Sequence, residues 1–347
     1  MNITILQDQI PEWASEDEQD VSAQSEAIFR ALSNLGYEPG VYFFSFDLEA
    51  MARAFQEANP LVVFNLVEAV SGKGQLIYTA PAMMDSLKQP YTGSSAEALF
   101  LTSNKLLAKR MLRASGISTP PWISGESSLE HDLLSDQPYI IKSVWEHASI
   151  GLNENSVLRV KDGRQLHEEM KRRQAQLGGA CFAEAYVEGR EFNLTLLAGE
   201  TGPEILPPAE IRFLDYPDGK ARIVDFSAKW KEESFEFLHT RREYHFPEGD
   251  TPLLQEMGKI ARECWKVFEL RGYARVDFRI DHTGKPWVLE INANPCLAPD
   301  SGFVAAARQA GLDFDQVIER VIKDSVPSGL SGHQGSSHPL PHSKAAY

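Results

Sequence analysis

Residues 274–302 read Ala-Arg-Val-Asp-Phe-Arg-Ile-Asp-His-Thr-Gly-Lys-Pro-Trp-Val-Leu-Glu-Ile-Asn-Ala-Asn-Pro-Cys-Leu-Ala-Pro-Asp-Ser-Gly. Two apolar runs of period two are parted by Asp-His-Thr-Gly, the pattern of a β-hairpin. Pairing across that turn sets Asp277 opposite Glu290, with Arg275 and Arg279 on the face of Asp277 and Asn292 on that of Glu290. Val276, Phe278, Leu289 and Ile291 then point the other way. Like charges facing each other on a sheet repel, and a cation between them relieves the repulsion. Two carboxylates with the amide oxygen of Asn292 form a hard, all-oxygen set suited to Mg2+, whose remaining positions go to water and phosphate oxygens. The same spacing also suits a surface hairpin whose charges simply face water.

Bulk properties bound the choice. At 347 residues, with 43% hydrophobic and 24% charged residues, the chain has the composition of a soluble globular protein of two or three domains. No apolar run of about eighteen residues offers a membrane span. The opening Met-Asn-Ile-Thr-Ile-Leu-Gln-Asp lacks the basic region and cleavage site of a secretory signal, so the cytoplasm is the expected location. A formal net charge of -15 opposes nucleic acid and anionic membranes as partners. Cys181, Cys264 and Cys296 are odd in number and widely spaced, which argues against a disulfide framework and against a zinc site.

Arg275-Val-Asp277, twelve further residues, Glu290-Ile-Asn292, then Asn294-Pro and Ser301 together resemble the C-terminal signature of the ATP-grasp ligases. Within them the stretch is most similar to that of the D-alanine–D-alanine ligases. The resemblance implies an α/β (α+β) fold: a parallel α/β domain over 1–95 and two α+β subdomains over 96–180 and 181–325 that sandwich ATP. Residues 326–347, rich in Gly, Ser, His and Pro with little to bury, read from composition as a disordered tail. The resemblance also implies an ATP-dependent, ADP-forming ligase that uses Mg2+, or Mn2+ in its place, to join an amino acid or short peptide to an amine. Its partners would be small-molecule substrates, and the family commonly forms homodimers.

Taken in order, strands are expected at 3–6, 41–46 and 61–66, alternating with helices over 21–35, capped by Ser22 and stopped by Gly36, and over 48–57. By the resemblance, Glu18 receives the ammonium group of the first amino acid, although the paired glycines usual before it are absent. Ser71-Gly-Lys-Gly74 has the spacing of neither a P-loop nor a dinucleotide fingerprint and reads as a loop. One helix is expected over 94–116. It contains Asn104-Lys105, where the family has Asp-Lys and places the Lys on the nucleotide phosphates.

The resemblance continues through the nucleotide site. Lys142, ending a strand at 138–142, falls to the α and β phosphates. In the loop 143–151 that closes over the triphosphate, Ser149 and Gly151 fit, while His147 stands where Gly is usual and Ala148 where a Ser anchors substrate. Glu184 and the backbone near Val187 would hold the adenine edge, Tyr186 would pack by the ring, and Glu191 would take the ribose hydroxyls. Lys229 is kept as a phosphate contact, but the Tyr that usually follows is Trp230. An indole donates and cannot accept, so the family's Glu–Ser–Tyr hydrogen-bond set cannot form from Glu18, Ala148 and Trp230. Arg275 would stabilise the oxyanion of the tetrahedral intermediate. Ser301 and the backbone near Cys296, a Gly in the family, would hold the second substrate's carboxylate. These departures favour a ligase with a rebuilt first-substrate pocket; a dedicated D-alanine–D-alanine ligase and an ATP-grasp small-molecule kinase are the alternatives. An amphipathic helix over 251–270 and helices over 303–310 and 314–323 complete the reading.

Overall fold

The computed structural model describes residues 1–9, 16–125, 137–146, 149, 151–177 and 179–326, the side chains of residues 16–20 and 154 excepted. Strand and helix alternate at the start: β1 (Asn2–Gln7), α1 (Glu16–Asn34), β2 (Glu38–Phe43), α2 (Leu48–Ala58) and β3 (Val62–Asn65). The strands pair in parallel in the order β2-β1-β3. β1 and β3 are buried almost throughout because a parallel strand is covered on both faces. α1 starts at Glu16, earlier than the pattern suggests, and Ser22 lies inside it instead of capping it. The acidic run Glu16-Asp-Glu18-Gln-Asp20, which could equally pass for a solvated loop, suits a helix start because carboxylates favour the positive end of the helix dipole. Ala27, Ile28, Ala31 and Leu32 form its buried face.

α3 (Thr79–Ser86) is followed by α4 (Ala96–Ser103) and α5 (Lys105–Ala114). The single helix expected over 94–116 is thus two, broken at Asn104. Asn104 is extended, and its side-chain oxygen accepts from the Leu106 and Leu107 N–H groups at 3.1 Å each, capping α5. Lys105 and Lys109, one turn apart, then share the inward face of α5, and both are buried.

The second sheet comprises β4 (Trp122–Ser124), β5 (Tyr139–Ser143), β6 (Val157–Leu158) and β7 (Cys181–Ala185) in the antiparallel order β4-β7-β5-β6. α6 (Gly163–Gln174) covers it through Leu166 and Met170. β7 belongs to this sheet although it lies beyond the expected division at 180. The chain leaves it through Gly189, at φ 146, where a Cβ would stand 1.9 Å from the Ile280 carbonyl oxygen.

The third sheet is built from β8 (Arg190–Leu197), β9 (Glu204–Ile205), β10 (Ala209–Phe213), β11 (Thr240–Glu243), β12 (Tyr273–Ile280) and β13 (Pro286–Asn292), ordered β11-β10-β8-β12-β13 with β9 on β8. Short helices α7 (Phe226–Trp230) and α8 (Phe235–His239) precede β11. One face packs on α9 (Thr251–Val267), where Met257, Ala261 and Cys264 meet Phe192, Leu194, Val276 and Phe278. In the hairpin, Asp277 opposes Glu290 and Arg275 opposes Asn292, as the period-two reading requires. Beyond Asp277 the register shifts, so that Val288 opposes Phe278. Val288 therefore fills the core at 1% exposure, and Leu289, assigned to the core by strict alternation, turns to the open face beside Glu290.

α10 (Gly302–Gln309) and α11 (Phe314–Ser325) pack with α1, β1 and β3 around Ile28, Leu32, Phe303, Val317 and Val321. Val326, placed in the tail by composition, still bonds the Ile322 carbonyl and packs on this core; the remainder of that stretch lies outside the described residues. The segment after the first sheet is fastened to the third. A Cβ on Gly272, at φ 66, would stand 3.0 Å from the Gly93 Cα, and the Ser94 hydroxyl bonds the Arg271 backbone. Among the described residues no helix is long and apolar enough to cross a membrane.

A buried charge network fixes α5 to the second sheet. The Lys109 ammonium lies 2.7 Å from Glu184 Oε2 and donates to Thr119 Oγ1 at 2.8 Å and to the Pro120 carbonyl at 3.1 Å; the other Glu184 oxygen pairs with Lys142. Burial alone would raise the Glu184 pKa, but the two lysines hold it below the ordinary carboxylate range. Lys109→Met leaves Glu184 short of a buried partner and should cost about 3 kcal/mol in urea denaturation. A depressed carboxyl supplies stability that is present above its unfolded pKa and lost as pH falls through its folded value. Stability of the unaltered protein should therefore fall more steeply on acidification than that of the variant.

Candidate active site

A cavity of about 1370 Å³ is lined by residues of the second and third sheets and of the loops that follow the strands of the first. Its floor is the face of the third sheet opposite α9. Because alternate residues share a face, β8 presents Glu191 and Asn193 there, β12 presents Arg275, Asp277 and Arg279, and β13 presents Glu290 and Asn292. β10 adds Ile211, and β11 adds Arg242 opposite it.

The facing carboxylates are set before any ligand arrives. Asp277 Oδ1 accepts from Arg275 Nε and from Asn193 Nδ2, both at 2.8 Å, and Oδ2 accepts from Arg275 Nη2 at 2.9 Å. Asn292 Oδ1 accepts from the Asn294 N–H at 3.0 Å and keeps a second lone pair. Among the described residues no group of three His, Cys, Asp or Glu side chains is placed to hold a metal by itself. Two carboxylates and one amide oxygen fit a Mg2+ that takes its other ligands from water and phosphate.

Three lysines converge on this floor. Lys105 donates to the Glu146 carbonyl at 2.7 Å, Lys142 pairs with Glu184, and Lys229 has no hydrogen bond or ion pair among the described residues. Burial pushes the Lys105 ammonium down, partly offset by Glu290. Burial and then Arg275 push Lys229 down, with Glu290 and Asp277 opposing. A nearby polyanion would replace the lost hydration of both.

Around the far wall stand Glu184, Tyr186, Val187 and Glu191. Glu191 pairs with Arg279 at 2.7 Å, and the Tyr186 hydroxyl donates to the Arg222 carbonyl at 3.3 Å. Ile140, opposite Glu184 in the β5–β7 ladder, and Leu289 supply apolar surface. Ser149 lines the cavity at φ 61, its hydroxyl donating to the Val224 carbonyl at 2.7 Å. Gly151 stands outside the lining: its missing Cβ leaves room for Leu177, which would otherwise be 2.6 Å away.

At the substrate end, Trp230 lines the cavity with a buried indole N–H that has no hydrogen-bond partner among the described residues. Cys296 and Ser301 also line it. The Cys296 sulfur accepts from the Ala298 N–H at 3.2 Å, and Ser301 caps α10 through the Val304 N–H at 3.3 Å. Glu18 falls in the first turn of α1, one turn before the cavity-lining Val21, and its side chain is outside those described; His147 and Ala148 lie outside the described residues.

Sequence reasoning missed Asn193, Leu289, Arg241 and Arg242 as lining residues. Asn193 was within reach, two residues beyond Glu191 on the same strand face. Arg241 and Arg242 carry no local signal beyond being adjacent cations in an acidic chain.

Known proteins resemble the chain in sequence and in fold. The family described as D-ala D-ala ligase C-terminus matches residues 116–323, more than half of the chain. An uncharacterised protein of Sinorhizobium fredii is 28% identical over 304 residues, covering 86% of each chain. A D-alanine–D-alanine ligase of Halorhodospira halophila is 29% identical over 313 residues, covering 89% of this chain and 92% of that one. The fold is that of the D-alanine–D-alanine ligase from Bacillus anthracis solved with ATP, with a TM-score of 0.71 at 21% identity over 94% of this chain and 97% of the other. The hairpin signature, the ATP-grasp architecture and a family match over most of the length lead to one conclusion: the chain belongs to the D-alanine–D-alanine ligase family of ATP-dependent ligases.

Proposed function

We propose that the enzyme joins the carboxylate of an amino acid or short peptide to the amine of a second amino acid, or another amine, forming an amide bond in the manner of the acid–amino-acid ligases. The observation that carries this reading is the register that sets Asp277 against Glu290 and Arg275 against Asn292 on the cavity floor, beneath Lys105, Lys142 and Lys229. Residues 1–95, 96–185 and 186–325 serve as its three lobes, the second boundary standing after β7 because that strand pairs with β5 and β4.

A carboxylate is a poor electrophile because its oxygen leaves badly and its charge repels the amine. Transfer of the γ-phosphoryl group of ATP onto it gives an acyl phosphate and ADP; attack by the amine then expels phosphate and leaves the amide. Lys105, Lys142 and Lys229 hold the phosphates, assisted by Ser149 and the turn at Gly151. Glu184, the Val187 backbone and Tyr186 hold the base, with Ile140 and Leu289 as its apolar walls, and Glu191 takes the ribose. Asp277, Glu290 and Asn292 would hold Mg2+, which when bound would neutralise phosphate charge. Arg275, positioned by its two bonds to Asp277, stabilises the oxyanion formed on amine attack. Glu18 takes the ammonium group of the first substrate, beside Ala148 and Trp230, while Ser301 and the backbone at Cys296 take the acceptor's carboxylate.

The unpartnered Trp230 indole N–H supports a first substrate that offers an acceptor there. The relatives named D-alanine–D-alanine ligases support D-alanine as the other candidate pair. Incubation with ATP and pairs of amino acids or dipeptides should give amine-dependent ADP release and an amide product. A stable phosphorylated product formed without any amine would instead make the protein a kinase. Asp277→Asn should lower the ligation rate by about a hundredfold or more and raise the Mg2+ concentration needed for half-maximal rate. An unchanged Mg2+ requirement would remove Asp277 from the metal site.

A further inference from the structure

From the cationic end of the cavity we infer that the acceptor amine carries a second carboxylate, as in a dicarboxylic amino acid or a peptide ending in one, and that Arg242 selects it. The inference rests on reading the end lined by Cys296, Ser301 and Gly302 as the acceptor site.

Arg242 lies on the cavity face of β11, and its guanidinium donates to the Asp300 carbonyl at 3.2 Å. It is seated against the start of α10: a Cβ on Gly302 would be 3.4 Å from Arg242 Nε, so glycine there leaves the guanidinium space to lie along the helix end. Arg241, which also lines the cavity, bonds among the described residues the Phe237 and Thr240 carbonyls alone, at 3.0 and 3.1 Å.

Neither arginine has an ion pair with a carboxylate among the described residues, whereas Arg190, Arg275 and Arg279 each do. In a chain of net charge -15, two cations bonded only to carbonyls at one cavity mouth are a selective feature. Two acidic residues are close. Asp300 lines the same end, but it is its carbonyl that meets Arg242; Glu243 is taken up by His245 and by the Tyr244 and His245 N–H groups.

An ordinary amino acid brings one carboxylate, for which Ser301 and the backbone at Cys296 already stand ready. Arg275 spends Nε and Nη2 on Asp277, and its remaining terminal nitrogen is reserved for the oxyanion. Arg242 and Arg241 are then surplus to a monocarboxylate and matched to a second anionic group. Guanidinium is suited to that task because its donor fork fits a carboxylate bidentately. Both arginines are exposed, so solvent limits the discrimination to about tenfold.

Two measurements on the full-length protein test this. Calorimetric titration of the ADP- and Mg2+-loaded protein with glutamate and with glutamine compares a charged side chain with a neutral isostere; ADP release with each as acceptor compares their kcat/KM. We expect glutamate to be favoured about tenfold in both. Arg242→Gln should bring the ratio near one, Arg242→Glu should invert it, and Arg242→Lys should keep part of it, with circular dichroism confirming that each variant folds. Equal binding of glutamate and glutamine, or a ratio unmoved by Arg242→Gln, overturns the assignment while leaving the ligase reading intact. A glutamate preference lost in Arg242→Gln, without amine-dependent turnover of any pair, would keep the site and overturn the ligase reading.

Discussion

Two carboxylates on neighbouring strands repel at the distance of a cross-strand pair, and the third sheet is arranged to hold Asp277 and Glu290 in that position. Arg275, two residues before Asp277 on the same face, grips it with two hydrogen bonds, and Asn193 from β8 adds a third. The order β8-β12-β13 is what lets one strand steady the acid of the next. Behind the acids, Phe192, Val276, Phe278 and Ile291 are anchored on the core shared with α9, so the charged face inherits the rigidity of the packed one.

The same tension recurs with opposite sign in the lysines. Lys105, Lys109 and Lys229 all sit where burial disfavours their charge, and each is offset differently: a carbonyl and Glu290 for Lys105, Glu184 with two oxygens for Lys109, and for Lys229 the fields of the acid pair and of Glu191 without a hydrogen bond among the described residues. The least compensated group is the one expected to gain most from a polyanion. Among the described residues, an acidic chain thus gathers buried lysines around one cavity, where they favour a polyanion without making the whole surface sticky to polyanions.

The hairpin's pairing, its charged face and the parallel first sheet were legible because period two and strand–helix alternation leave few alternatives. Leu289 escaped because a bulge changes side-chain direction without any mark in composition. The break at Asn104 was obscured by helical periodicity on both sides, although Asn is a favoured cap and was in plain view. The start of α1 was hidden by an acidic run that suits a solvated loop and a helix N-terminus alike. Lys109 carries no local mark, because its partners, Thr119 and Glu184, lie outside its helix and only tertiary structure brings them within reach. Val288 and Leu289, both apolar, show how little hydropathy alone can tell about which of two neighbours will meet a ligand.

The glycine pair at positions 93 and 272 has a consequence for anyone who would recombine this enzyme with its relatives. The two backbones touch where the leading lobe meets the sheet that carries the acid pair, and Gly272 adopts a left-handed conformation in which side chains are strained. A hybrid that takes its leading lobe from one parent and the remainder from another will assemble only if both parents keep that contact bare. The seam between the lobes is therefore a compatibility code two residues long, one written on each side of the crossover.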